Sequence, residues 1–318
     1  MNTSPKTPLV SVIMNCRNAA KDLPSAMESV MAQTVQDFEI IFFDNCSTDA
    51  SIAIAESFGE KVRIVQAASP LSLGMARNQA LCHTQGDLIA FLDCDDLWRP
   101  TKLERQIACF ANESVGLVTT DTRLLHGTRE GGRLFAKTRP ARGAVFGELL
   151  TRQWISMSSA MVRKKALDSI QESPGHWFDE RLEVCEEADV FYRIAHDWAL
   201  DYVESDLTLW RIHGKNTTFE RFDAFANETL LIVDKLQKRF PDCQTTYASI
   251  FPKLINRASF QKAIALWKNG KAKEARTLVH SLPKTPKTRL FTLCTYLPPS
   301  CFTLAARLYF ALPRFLRS

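Results

Sequence analysis

Four short runs of β-branched, aromatic and aliphatic residues occupy the first ninety or so positions: Val10 to Met14, Phe38 to Phe43, Val62 to Val65 and Leu88 to Leu92. Between the first two, Leu23, Ala26, Met27, Val30 and Met31 recur at the spacing of one helix face. Strands in βαβα order, apolar almost throughout, must be buried on both sides, so they predict a mostly parallel sheet covered by helices. In such sheets ligands bind beyond the carboxyl ends of the strands.

Two of those ends are acidic. Asp44 closes the second run in FFDNCSTD, and Asp93, Asp95 and Asp96 follow the fourth in FLDCDD. Asp93 and Asp95 flank a single Cys94, so both carboxylates can turn toward one cation, and hard oxygen ligands suit Mg²⁺ or Mn²⁺ bridging to substrate phosphates. Such an ion would neutralise charge building on a departing diphosphate. Acids after a strand also cap the next helix or form a solvated turn, and Asp96 fits that structural role best of the three. Asp44 likewise doubles as a turn or cap residue for the segment from Ser47.

Several other chemistries are excluded by what is missing. No G-x-G-x-x-G follows the first strand and no G-x-x-x-x-G-K-[ST] occurs, which argues against a dinucleotide-binding dehydrogenase or a P-loop NTPase. H-E-x-x-H, G-x-S-x-G and paired His/Cys spacings are also absent. The nine cysteines contain no C-x-x-C pair, a pattern of reduced thiols in a cytosol rather than a disulfide framework. The polar start MNTSPKTP predicts no secretory leader.

These residues carry a resemblance. VSVIMNCRNAAKDLPSAMESVMAQTVQDFEIIFFDNCSTDAS, LGMARNQAL and GDLIAFLDCDDLWRPTKLERQ, in that order and spacing, resemble the N-terminal half of family 2 inverting glycosyltransferases. The similarity runs from about Leu9 to Thr218. It implies a GT-A type nucleotide-diphospho-sugar transferase fold and a nucleotide-diphosphate sugar donor, UDP- or TDP-linked. Carried over by residue, Asp44 would hydrogen-bond the base, Asn18, Arg77 and Asn78 would lie along the donor, and Asp93 and Asp95 would serve as the metal and ribose acids. A carboxylate at 44 can accept the N3 proton of uracil or thymine, which cytosine lacks. The first strand departs from the family: many members read P-T-Y-N where this chain has Asn15-Cys16-Arg17-Asn18, so the guanidinium of Arg17 would replace an aromatic ring against the base. Arg77 follows Gly74, where a backbone can come close to a ligand.

A transferase also needs a base for the acceptor hydroxyl. Glu183, Glu186, Glu187 and Asp189 precede the apolar stripe Val190, Phe191 and Ile194. The resemblance implies a catalytic acid six residues before an Arg, which places Glu187 ahead of Arg193, with Asp189 and Glu186 as substitutes; a carboxylate there contributes about 10²- to 10⁴-fold. Acids in a first turn also complement the helix dipole, the role expected for two of the four. RIHGKNTT, Arg211 to Thr218, resembles the R-x-H segment ending such catalytic domains, which puts His213 near the diphosphate or its metal. WISMSS, Trp154 to Ser159, has the aromatic and hydroxyl groups of an acceptor side.

The remainder differs in charge. Residues 251–318 hold thirteen Lys/Arg and one acid, a net of +12, against −7 over residues 1–250. Ser259 to Leu282 has the apolar spacing of a single tetratricopeptide-like helical hairpin turning near Gly270. The uncharged run from Leu290 to Ala306 is short and broken by Pro298-Pro299, which predicts an interfacial helix pair or helices packed on the protein, not a bilayer span. Expected domains are therefore a catalytic domain over 1–218, a helical region over 219–289 and apolar, basic helices over 290–318. The expected activity is inverting transfer of a sugar to an acceptor hydroxyl in surface polysaccharide or glycan assembly, with a glycan or lipid-linked acceptor. The expected location is the cytoplasm, with attachment to an anionic membrane face open; no nucleic-acid-reading motif accompanies the basic tail. A non-catalytic scaffold of the same fold and a two-carboxylate glycoside hydrolase are the alternatives.

Overall fold

The computed structural model describes residues 8–136, 139–213 and 222–298. The chain divides into two compact units, residues 1–216 and 217–318.

The first unit is built on a sheet whose described strands run in the order β3-β2-β1-β4-β8-β6-β9-β5, with β7 paired to β6. They are β1 (Val10–Cys16), β2 (Phe38–Asp44), β3 (Val62–Gln66), β4 (Leu88–Phe91), β5 (Leu97–Trp98), β6 (Val115–His126), β7 (Arg129–Arg133), β8 (Met161–Arg163) and β9 (Ala199–Arg211). Helices α1 (Leu23–Met31), α2 (Ser51–Glu56), α3 (Leu73–Leu81), α4 (Lys102–Cys109), α5 (Phe146–Thr151), α6 (Lys164–Ser169) and α7 (Glu186–Asp197) intervene. β1, β2, β3 and β4 are parallel, as the apolar runs predict. Beyond β4 the sheet turns mixed: β8 lies antiparallel between β4 and β6, and only the β6–β9 pair is parallel. That half departs from the mostly parallel sheet expected, because β5, β7 and β8 are too short to leave a periodic signature.

The alternation of side chains explains why acids emerge where they do. Val12, Met14 and Cys16 of β1, Ile40 and Phe42 of β2, and Ala90, Leu92 and Cys94 from the β4 segment point to one core, where Leu23, Ala26, Met27 and Val30 of α1 cover them. At about 25 cal/mol per Å² of apolar surface removed from water, each such side chain contributes about 1.5–3 kcal/mol. Asp93, one residue out of phase with Cys94, therefore belongs to the opposite face, where α3 lies. Gly86 permits the close entry into β4: a Cβ there would sit 2.6 Å from the Ser11 backbone nitrogen.

The second unit is helical. Helices Phe251–Lys268 and Ala272–His280 form the hairpin expected from the sequence, turning at Gly270 with φ +79°, although the first begins eight residues before Ser259. A further helix, Pro286–Cys294, closes their core through Phe291, which packs edge-on against Phe260 and Trp267. The 218/219 boundary and most of the 290–318 segment fall outside the described residues. No described helix is long and apolar enough to cross a membrane.

Candidate active site

β4 ends in a tight turn. The Asp96 backbone nitrogen donates to the Asp93 carbonyl at 3.0 Å, and the buried Cys94 thiol donates to the Asn15 carbonyl at 3.3 Å. Fixing Cys94 inward leaves Asp93 and Asp95 partly exposed on either side of it, with side-chain exposures of 46% and 34%. Asp96 is buried and accepts hydrogen bonds from the Ser158 hydroxyl at 2.6 Å and the Arg211 backbone at 2.9 Å. Ser158 Oγ also accepts from the Asp93 backbone nitrogen at 3.1 Å. Burial, with Asp93 and Asp95 nearby, pushes the Asp96 carboxyl well above its usual range.

The chain after β9 meets this turn from the other side. Arg211 Nε donates to the Asp95 carbonyl at 2.8 Å, and His213 Nε2 lies 2.9 Å from Asp95 Oδ2. Asp95 and His213 thus pair at a strand end beside Asp93, oxygen and nitrogen donors of a kind that Mn²⁺ or Mg²⁺ accepts, although among the described residues the three do not bring their ligand atoms within 4.8 Å of one another.

Arg77, on α3, is buried beneath the acids. Its Nη1 donates to Glu186 Oε1 at 2.5 Å and its Nη2 faces Asp93 Oδ1 at 3.5 Å. Glu186 opens α7, and Glu187 follows it. Burial foremost, then the charge of Glu186, pushes the Glu187 carboxyl up to about 8; Arg77 opposes the shift and Asp93 adds to it. The charge of Asp93 thus reaches Glu187 from a separate segment of the chain. Asp93 is itself raised, first by the protein packed around it and then by Asp95 and Glu186, with Arg77 opposing. Its side chain is nonetheless half-exposed.

The other candidate acids on α7 have different surroundings. Asp189 is fully buried and receives Arg193 Nε at 3.0 Å and Nη2 at 2.7 Å, while Arg193 also donates to the Ile170 and Trp177 carbonyls. This pair fastens α7 to its neighbours, so Asp189 takes a structural place and not the one of a substitute base. Glu186 is occupied by Arg77.

At the end of β2, Asp44 is also buried. Its Oδ2 accepts from the Ser47 backbone at 3.1 Å, and its Oδ1 is buried with no hydrogen-bond partner. The turn role and an unfilled acceptor therefore coexist in one side chain. Asn18 and Cys46 have φ of +57° and +60° in the loops beside it, a conformation non-glycine residues adopt at a cost. Asn18 Oδ1 accepts from the Thr48 backbone at 2.7 Å, tying the two loops together, and Arg17 is exposed beside it.

Asn78 and Gly74 both have close protein neighbours. Asn78 is buried, accepts from the Trp177 and Phe178 backbone nitrogens at 3.1 and 2.8 Å, and donates to the Phe178 carbonyl at 2.9 Å. Its amide holds main chain through the oxygen and one of its two N–H groups. Gly74 lies close to protein: a Cβ there would meet the Asp179 carbonyl at 3.3 Å, a tight approach. In WISMSS, Ser156 and Ser159 bond Thr122 and Thr119 internally, and Ser158 buttresses the acidic turn. Ser158 and Arg211 are the site residues that sequence reasoning did not assign; the motifs holding them were noted, but partners 62 and 115 residues away left no local signal.

Residues 11–168 match the model of "Glycosyl transferase family 2". Over 226 residues the chain is 26% identical to EpsE of Bacillus subtilis (strain 168), provisionally named a glycosyltransferase, covering 63% of this chain and 80% of that one. Over 129 residues it is 29% identical to the Escherichia coli UDP-Glc:alpha-D-GlcNAc-diphosphoundecaprenol beta-1,3-glucosyltransferase WfgD, covering 40% and 51%. Among solved structures, residues 1–349 of S. aureus TarS in complex with UDP-GlcNAc superpose with a TM-score of 0.65 at 16% identity, over 88% of this chain and 82% of that one. The mannosyltransferase PcManGT from Pyrobaculum calidifontis, in complex with GDP-Man and Mn2+, gives 0.57 at 15% identity, over 95% and 84%. These likenesses carry the GT-A fold. With strand ends that carry Asp44, Asp93 and Asp95, and helix α3 bringing Arg77 to Asp93, residues 11–168 are a glycosyl transferase family 2 domain.

Proposed function

We propose that the protein is an inverting, divalent-metal-dependent glycosyltransferase that moves a sugar from a UDP- or TDP-linked donor to an acceptor hydroxyl. The observation that carries this reading is the raised Glu187 carboxyl, at about 8, which feels the charge of Asp93 and follows Glu186, the acid that Arg77 links to Asp93. Glu187 lies beyond the segment matched by the family model, so its role rests on that geometry and on the resemblance.

In this mechanism, Asp44 Oδ1, the buried acceptor without a partner, receives the N3 proton of the donor's base. Asp95 and Asp93, with His213 alongside Asp95, would hold Mn²⁺ or Mg²⁺, which supplies charge neutralisation for the departing diphosphate. The acceptor oxygen attacks the anomeric carbon from the face opposite the diphosphate. Its proton passes to Glu187 as the new C–O bond forms, and the bond to the diphosphate oxygen breaks with its electron pair. A carboxyl whose affinity for protons is raised by burial is suited to that task near neutral pH. Inversion follows from a single displacement, and no covalent enzyme intermediate is needed.

Relatives such as WfgD, whose name specifies a diphosphoundecaprenol-linked substrate, support a lipid-linked or glycan acceptor and a place in surface polysaccharide assembly. The +12 charge of residues 251–318 supports attachment to an anionic membrane face from the cytoplasm. The test is thermal stabilisation by UDP-, TDP- and GDP-sugars with and without Mn²⁺, followed by nucleotide release. Wild type is expected to show metal-dependent stabilisation that Asp95→Ala loses, and to release UDP or TDP from a sugar donor. Equal metal-dependent stabilisation of both proteins would remove Asp95 from the metal site. Binding without release under any acceptor would favour a scaffold.

A further inference from the structure

We propose that the Glu186–Arg77–Asp93 bridge is a positioning device, which fixes the first turn of α7, and with it the Glu187 carboxylate, relative to the acids on the donor side. The inference rests on Glu187 being the base. It assigns Arg77 neither to the donor nor to the acceptor.

Arg77 is 3% exposed, and two of its guanidinium nitrogens face acids from different segments, Glu186 Oε1 at 2.5 Å and Asp93 Oδ1 at 3.5 Å. One acid adjoins the proposed base, and the other is half-exposed. Glu186 is 2% exposed and its second oxygen has no partner, so among the described residues Arg77 alone holds its carboxylate. Cys185, at the N-cap of α7, makes no side-chain cap bond to the first turn. A turn further on, the helix is also held by the Asp189–Arg193 pair.

The bridge starts from a rigid base. α3 is tied to the segment before α7 by the three Asn78 bonds to Trp177 and Phe178, and by the contact that Gly74 permits with Asp179. The guanidinium also lies 5.5 Å from the Phe178 ring centroid. A planar fork can satisfy two carboxylates in different directions at once, whereas an ammonium cannot reproduce that geometry. A displacement of about 1 Å at a reacting group can cost about a hundredfold in rate, which is the scale on which such a link would matter. Buried ion pairs contribute little net stability compared with apolar replacements, so stability alone gives no sufficient reason for this one.

The test compares wild type, Arg77→Lys, Glu186→Gln and the double variant Arg77→Lys/Glu186→Gln. UDP affinity is measured by calorimetry with Mn²⁺, and UDP release from UDP-glucose and UDP-N-acetylglucosamine is followed with water as acceptor. Thermal unfolding establishes that each variant is folded; Glu186→Gln keeps the shape of the side chain and decides the matter if Arg77→Lys does not fold. The expected result is UDP affinity within about threefold of wild type in all variants, with kcat down at least about tenfold in each single variant. The double variant should be no slower than the slower single one, since both break the same link. Unchanged kcat in Glu186→Gln, or losses that multiply in the double variant, would overturn the inference. So would a fall in UDP affinity with kcat intact, which would make Arg77 a donor contact. Failure of the underlying reading looks different: wild type would release no UDP, or Glu187→Gln would turn over normally.

Discussion

Replacing Glu187 by Gln should make the protein more stable at alkaline pH while removing its activity. In the folded protein the Glu187 carboxyl is raised from 4.5 to about 8, whereas the unfolded chain returns it to 4.5. Between those values the folded state binds the proton and the unfolded state does not, so stability falls as pH rises through the window, and the full penalty is present above about 8. At 1.36 kcal/mol per pH unit, a shift of that size sets a ceiling of about 5 kcal/mol. Glu187 is only partly buried and its charge is coupled to Glu186 and Asp93, so water and rearrangement of those neighbours reduce the figure to about 1–3 kcal/mol. For a domain of this size, 1 kcal/mol moves Tm by about 2–4 °C. Thermal unfolding of wild type and Glu187→Gln in chelator at pH 5, 7 and 9 measures the difference, in which groups common to both proteins largely cancel. The variant should gain about 3–10 °C on wild type between pH 5 and pH 9. Parallel Tm curves would refute the raised carboxyl and with it the reason for choosing Glu187 as base. The same ionisation predicts a rate that rises with pH, because only the carboxylate form accepts the acceptor's proton; a bound cation would move that limb below 8.

Asp189→Ala should behave in the opposite way, losing about 3–5 kcal/mol at all pH values above the carboxylate range because Arg193 is left fully buried without its ion partner. A Tm within about 2 °C of wild type would contradict the structural role given to this acid. Asn78→Ala should cost about 2–4 kcal/mol in urea unfolding, since two buried backbone N–H groups lose their acceptor. UDP affinity of the folded variant should stay within about threefold of wild type; a larger loss would return Asn78 to the donor site.

The sequence alone determined the βαβα half of the sheet, because the buried strands β1, β2 and β4 must be apolar at nearly every position and the helices between them at every third or fourth, while β3, at the end of the strand order, is only half-buried. It also determined that Asp44 and Asp93 lie at strand ends, since a carboxylate that interrupts an apolar run marks where the strand leaves the core. The helical hairpin of the second unit was legible for the same reason of period. What only the tertiary structure decided is which acid has which surroundings. Glu186, Glu187 and Asp189 occupy one helical turn with nearly the same chemistry, and α7 itself does not distinguish them. Arg77, 109 positions before Glu186, takes the first; Arg193, together with carbonyls from positions 170 and 177, takes the last; the middle one is left facing Asp93's charge. Burial and charge act through space, so a carboxyl's proton affinity depends on neighbours whose distance along the chain carries no local pattern.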